Sequence, residues 1–325
     1  MKLGIKLSLT SVAVALLGTA TFAEDFNWRK FEGTEITWAY DIHPYADAVV
    51  TYLDEFEELT GITVNAELYP DDTYWGKLNI QLSTGSSDWD VVGTGIQPAW
   101  DVTPGGQLTP LRGLIEDASM TNPNYDYEDF FPALRRAWTW DVAEEEIIDN
   151  ADGEIWGIPH AFENMQLMYR TDILKRLGVK PPSTLPELTE ACAIITAADP
   201  NITPMAVRGV RFWSSIHTAP ISIAASYGVS DFVRSGDDLD TALDSDASIR
   251  FHTDYVAMIK ACAPDSWAND NWYQVVDGLS TGKTAMAMDA NMFGFWNNID
   301  GASDASGKIA FAPPLTAPDN DEFAS

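Results

Sequence analysis

Basic side chains are scarce in this chain: 19 Lys and Arg stand against 49 Asp and Glu, a formal net charge of -30 over 325 residues. No basic stripe is available to neutralise a phosphate backbone, which excludes nucleic-acid binding. The same excess of acid opposes adsorption to an anionic lipid surface. Histidine is sparse as well. His43, His160, His217 and His252 are scattered, and the patterns of zinc proteases, serine hydrolases and dithiol redox sites are absent. The stretch GLSTGKT (278–284) is one residue short of a phosphate-binding loop and follows a helical pattern, so it is no nucleotide site. With two cysteines a zinc framework is excluded, and no metal or cofactor is expected. Cys192 and Cys262 both fall on expected helices. A disulfide is the expected state in an oxidising compartment, and two buried thiols too far apart to bond are the alternative.

Long apolar runs are also missing. The longest, residues 7–17, is about half of the ~20 residues that span a bilayer. Lys2 and Lys6 precede it and Thr21, Phe22 and Ala23 follow, the pattern of a signal peptide over 1–23. No cysteine at the cleavage site offers a lipid attachment point. A soluble protein released into a periplasm, with no membrane insertion, is expected.

What the chain does have is 46% hydrophobic residues and 12 tryptophans, enough apolar material for about two domains at roughly 150 residues each. EITWAY (35–40) alternates as a strand, and Tyr45, Val49, Tyr52, Phe56 and Leu59 share one helical face ahead of Gly61. Strands at 63–68 and 90–92 flank a helical stretch at 73–83, so the order is β-α-β-α-β with parallel strands. A helix is expected at 126–140. In the second half helices are expected at 172–177, 185–198, 214–227, 246–262 and 272–280, with strands at 205–207, 285–288 and 309–311. Thr184 and Glu187 have capping-box spacing. The acidic stretch 235–246 reads as a solvated loop, since it lacks the glycine and glutamate positions of a calcium loop.

Four blocks, in order, resemble the extracellular solute-binding proteins of ABC importers, specifically the sugar-binding group that includes maltose-binding protein. They are LTGITV (59–64) with 74–78 and SDWDVV (87–92); GGQLTPL (105–111); GEIWGIP (153–159) with LMYRTDIL (167–174) and PPSTLPEL (181–188); and GKTAMAM (282–288) with 291–296 and IAFAPPL (309–315). The resemblance implies a two-lobed α/β periplasmic binding protein fold of type II. It places an N-terminal lobe at 24–157, a C-terminal lobe at 158–315, and at 316–325 the start of a crossover back to the first lobe. Chains of the family continue well past the last block, so the C-terminal part is expected to be missing here. A monomer that captures a neutral sugar or polyol and hands it to ABC permease subunits is implied, with no chemistry performed. A chemoreceptor partner would fit the same fold. A secreted carbohydrate-active enzyme using an Asp/Glu pair is the alternative from the residues themselves.

Ligands of open α/β sheets lie beyond the carboxyl ends of the strands. Sugar hydroxyls need polar side chains there and sugar C–H faces need aromatic ones. On the first lobe this selects Tyr40, Asp41 and His43 after EITWAY, Tyr74 and Trp75 at a helix start with one ring toward the ligand, and Gln97 and Trp100 after 91–92. His43 packed beside Pro44 as a helix-start residue is the competing reading. On the second lobe it selects Glu163, Asn164, Trp213, Asp289 and Asn291, with Trp272, Phe293 and Trp296 weaker.

Overall fold

The computed structural model describes residues 26–86, 88–142, 152–212, 214–216, 218–236 and 238–320. The signal peptide expected at 1–23 and the candidate Trp213 lie outside the described residues. The chain divides into two compact units, Met1–Ala161 and Phe162–Ser325.

Unit 1 is built on a parallel sheet of β1 (Glu35–Asp41), β2 (Thr63–Tyr69) and β3 (Val91–Val92), with β1 central. Its helices are α1 (Pro44–Val50), α2 (Leu53–Thr60), α3 (Asp71–Thr84), α4 (Ile96–Val102), α5 (Arg112–Glu116) and α6 (Pro132–Ala137). Parallel pairing follows from the helical crossovers between successive strands. The single helix expected over 45–59 is broken at Thr51 and Tyr52, after a β-branched run of Val49, Val50 and Thr51 that weakens helical preference. Its expected apolar face is open in part, with Tyr52, Phe56 and Leu59 exposed. Instead of a helix over 126–140 the chain forms a 3-10 turn at Tyr127–Asp129, α6, and the strand β4 (Thr139–Trp140). Pro132 removes an N–H that a helix running through it would need, so the helix starts there.

β4 pairs antiparallel with β5 (Glu154–Ile155). Around this ribbon Trp138 and Trp140 stack at 6.4 Å, Trp156 lies 6.1 Å from Trp140, and Ala99, Ile96 and Leu108 complete the cluster. Three of the tryptophans thus serve a core. Gly157 is required beside them, because a Cβ there would sit 2.5 Å from the Trp138 ring.

Unit 2 has a four-stranded sheet of β6 (Met165–Arg170), β7 (Thr203–Val207), β10 (Thr284–Ala290) and β11 (Ile309–Phe311), with a separate exposed hairpin of β8 (Phe232–Ser235) and β9 (Asp238–Thr241) between β7 and β10 in the chain. The sheet order is β11-β6-β10-β7, with β10 parallel to β7 and antiparallel to β6. The helices are α7 (Thr171–Leu177), α8 (Leu185–Ala198), α9 (Thr218–Ser226), α10 (Asp246–Cys262), α11 (Trp272–Ser280) and α12 (Met292–Asn298). Every residue of β10 is buried, as a central strand covered on both faces requires. Leu167, Met205, Val207, Met286 and Met288 point into a core with α8 and α10, while Met168, Ala206 and Ala287 meet Val275 and Leu279 of α11 on the other face. Cys192 of α8 and Cys262 of α10 are joined by a disulfide, their Cα atoms 5.1 Å apart.

Two further expectations are adjusted. α9 starts at Thr218, not 214, and part of the acidic stretch 235–246 forms the β8–β9 hairpin instead of an irregular loop, with all its described strand residues exposed. Thr184 caps α8 by accepting from the Glu187 N–H at 3.3 Å, and the Glu187 carboxylate accepts from the Ser183 N–H at 2.8 Å.

Candidate functional site

The register of unit 2 gathers side chains at one end of its sheet. β6 runs antiparallel to β10, so Met165 opposes Ala290, and the residues just before β6 meet those just after β10. The Asn291 N–H donates to the Asn164 carbonyl at 3.0 Å. β7 runs parallel to β10 with Val207 opposite Met288, which places Arg208 next to Asp289. The Arg208 Nε lies 2.9 and 3.1 Å from the two Asp289 carboxylate oxygens, and Nη2 lies 2.5 Å from Oδ1. Arg208 Nη1 donates to the Ser214 carbonyl at 2.7 Å, and Nη2 is 3.7 Å from a Glu163 carboxylate oxygen. Burial pushes the Asp289 carboxyl above its usual range, opposed by the guanidinium and by the Ala290 N–H at 2.7 Å.

Glu163, Asn164, Asp289 and Asn291 therefore collect in one place. Their accessibility differs. Asn164 is exposed and Glu163 and Asn291 are half-buried, but Asp289 is 1% exposed and is bound up in the Arg208 pair. Asp289, expected as a ligand contact, is covered and holds Arg208. Arg208 was missed by the sequence reading. Its signal was a lone arginine directly after a short apolar strand, where a charge buried by the next layer needs a partner. Trp272 and Phe293 stack at 5.4 Å in a core cluster, while Trp296 is 43% exposed.

In unit 1 the loops after β1 and β3 lie at the carboxyl ends of the parallel strands. Tyr40, Asp41 and His43 are each under a tenth exposed. His43 is the N-cap of α1, its Nδ1 accepting from the Tyr45 N–H at 3.3 Å, so its helix-start role is real. His160, which sequence reasoning passed over, lies 5.5 Å from the Tyr40 ring and 6.1 Å from the Tyr45 ring. Desolvation by these neighbours, and then the nearby His43, hold its pKa below the usual histidine range. Gln97 and Trp100 are exposed on α4.

Of Tyr74 and Trp75, expected to divide between ligand and core, Tyr74 is the ring in the core, and Trp75 is 8% exposed. Tyr74 is fully buried, its hydroxyl 2.5 Å from the Gly93 carbonyl and 3.1 Å from that of Ala39, and the Trp75 Nε1 donates to Asp71 at 2.7 Å. Burial, with Asp41 nearby, pushes the Tyr74 phenol well above its usual range, which keeps it a neutral donor. Tyr74 thus ties the β3 loop to β1. Gly93 is part of the same join, since a Cβ there would meet the Tyr40 ring at 2.0 Å. Replacing Tyr74 by Phe leaves a buried carbonyl without its donor and is expected to lower the unfolding free energy by about 1–2 kcal/mol. Chemical denaturation measures this, and an unchanged midpoint would show that the hydroxyl contributes nothing.

Among the described residues no group of three or more His, Cys, Asp or Glu could hold a metal ion, and no helix is long and apolar enough to cross a membrane. The arrangement is one of partly open polar groups backed by buried ones.

The model of the bacterial extracellular solute-binding protein family matches residues 51–324, and the chain belongs to that family. It is 30% identical over 303 residues to an erythritol/L-threitol-binding protein of Mycolicibacterium smegmatis, a match covering 93% of this chain and 63% of that protein. The chain therefore spans less than two thirds of that relative's length. Among solved structures, an ABC transporter solute-binding protein of Agrobacterium vitis with bound D-mannitol matches with TM-score 0.71 at 22% identity, covering 87% of this chain and 64% of that one. One of Agrobacterium radiobacter in complex with ribitol matches with TM-score 0.75 at 18% identity, covering 89% and 68%. At these identities the likeness establishes the fold class, that of the two-lobed α/β solute-binding proteins.

Proposed function

We propose that this protein is the periplasmic binding component of an ABC importer, which captures a neutral sugar or polyol and delivers it to membrane permease subunits. The single observation that carries the reading is the relative that binds erythritol or L-threitol, 30% identical over 303 residues. The geometry of each unit supports it. Polar and aromatic side chains collect at the carboxyl ends of parallel strands, where Glu163, Asn164 and Asn291 in unit 2 and Gln97 and Trp100 in unit 1 remain at least partly open to a ligand. Tyr40, Asp41 and His43, each under a tenth exposed, are proposed as contacts from the first lobe. Trp213 stays a proposed stacking partner.

The chemistry of such a site is pairing. Asparagine amides donate and accept, a carboxylate accepts, and each ligand hydroxyl does both. A site built for a hydroxyl rejects an analogue that lacks it, because its buried polar groups are then left unpaired. Closure is favoured by the ligand only to the extent that it contacts the closed state better than the open one. A signal peptide and a monomeric state are part of the same proposal.

Thermal unfolding against a panel of tetritols, pentitols, hexitols and disaccharides tests it. The cognate compound, present at about 100 times its Kd, is expected to stabilise the protein by about 2.7 kcal/mol. No shift with any sugar or polyol would overturn the reading.

A further inference from the structure

At the carboxyl end of β1 a set of rings gathers around one imidazole. Tyr40 and Tyr45 stand nearly perpendicular to the His160 ring, at 72° and 82°, with centroids 5.5 and 6.1 Å away. The His43 ring lies 4.6 Å from that of Tyr45. Behind this layer Tyr40 is fixed, because its ring meets Tyr74 at 6.0 Å and fills the space a Cβ at Gly93 would take. The buried Pro159, whose ring locks φ, sets where the chain enters His160. The imidazole is therefore held in place by aromatic contact. The residue itself is exposed, and among the described residues no hydrogen bond engages either ring nitrogen.

A neutral imidazole offers one donor and one acceptor, the pair that a hydroxyl matches, whereas the cation offers two donors. The cation is also disfavoured here, first by desolvation and then by the nearby His43. The other titratable groups at this place, the phenols of Tyr40 and Tyr45 and the buried carboxylate of Asp41, do not reverse that balance. A ligand seated on the ring removes further water from it and strengthens the same bias. We propose that His160 is a ligand contact of unit 1 that takes a sugar or polyol hydroxyl on its neutral imidazole, so that capture releases the proton this ring carries in acid. The proposal rests on the reading of the protein as a sugar or polyol binder and adds to it a residue and a pH dependence. Each His160 that is protonated in the free protein gives one proton to the solvent on capture, and no covalent bond changes otherwise. The neutral ring is the binding form, so affinity is full above the pKa of the ring and falls as the pH drops through it.

Calorimetric titration of the full chain at about pH 7.5 and about pH 5 tests this, with erythritol, ribitol, D-mannitol and maltose as probes and the tightest binder followed. In the wild type its Kd is expected to rise about fivefold between the two conditions. H160Q keeps a donor and an acceptor but cannot be protonated, and its two Kd values are expected to be equal. H43N, which keeps an N-cap side chain, removes the influence of His43 on the His160 ring and is expected to move the fall in affinity to higher pH. A merely packing role of His160 would leave the ratio the same in H160Q. A second reading uses the wild-type chain alone: the histidine ring resonance that is missing in H160Q should titrate with a midpoint that falls when the probe is added. Equal wild-type affinity at the two conditions, a ratio kept by H160Q, or a midpoint unmoved by the probe would overturn the proposal while leaving the binding function standing. Failure of every probe to bind at about pH 7.5 would overturn the underlying reading and this proposal with it.

Discussion

Replacing Cys192 and Cys262 together by alanine is expected to lower the unfolding free energy of unit 2 by about 4 kcal/mol, the loop-entropy value for cross-linked residues this far apart in the chain. The two cysteines are separated by 70 positions, and the bond ties α8 to α10 on one face of the sheet. Both are fully buried in the main core cluster, where they also pack against neighbours. Without the bond the unfolded chain regains the freedom of the whole loop, while the folded helices still pack. The native fold is therefore expected to form, with a lower denaturation midpoint. Urea or guanidinium unfolding of the variant beside the wild type reads this directly. An unchanged midpoint would mean that the α8–α10 packing alone holds this face.

Asp289→Ala is the second large effect, expected to cost about 3–5 kcal/mol, because it leaves the buried Arg208 charge without its principal counter-charge. Arg208 keeps the Ser214 carbonyl and the more distant Glu163, neither of which replaces three close contacts. The loss should fall on unit 2, since β7 and β10 meet at this pair. Removing both charges, as in Arg208→Met with Asp289→Leu, is expected to recover most of the stability, since apolar groups of similar volume need no partner. A double-mutant cycle by chemical denaturation separates the two outcomes. If Asp289→Ala costs less than about 1 kcal/mol, the pair is not the buried, coupled unit described here.

Much of the fold was legible because it depends on local periodicity. β11 was placed at 309–311 and observed there, and α8, α10 and α11 kept their expected bounds because each has a strong apolar face and a polar start. The break between α1 and α2 was missed since spacing alone counts apolar positions and ignores the β-branched run between them. The helix expected over 126–140 failed for a related reason: an apolar, aromatic stretch also suits a turn and a short strand, and Pro132 settled the matter locally.

For the candidate site, the sequence indicated loops that the fold brings together in unit 2. Glu163, Asn164, Asp289 and Asn291 were selected separately, and the antiparallel register of β6 on β10 brings them together. What could not be read was which of them is covered. Asp289 is sealed because β7 sets Arg208 beside it, a pairing across 81 positions that no local pattern encodes. Which of Tyr74 and Trp75 belongs to the core was likewise not legible. The Tyr74 ring lies under the β3 loop, and only the parallel alignment of β1 and β3 shows that its hydroxyl has two carbonyls to reach.

The most direct test of the central claim is isothermal titration of the full chain with sugars and polyols, followed by NMR of the recovered ligand. The account predicts saturable binding of a neutral polyol or sugar at one site per chain, with the ligand returned chemically unchanged. Consumption of the ligand would make the protein an enzyme, and absence of binding across the panel would remove carbohydrate capture as its function.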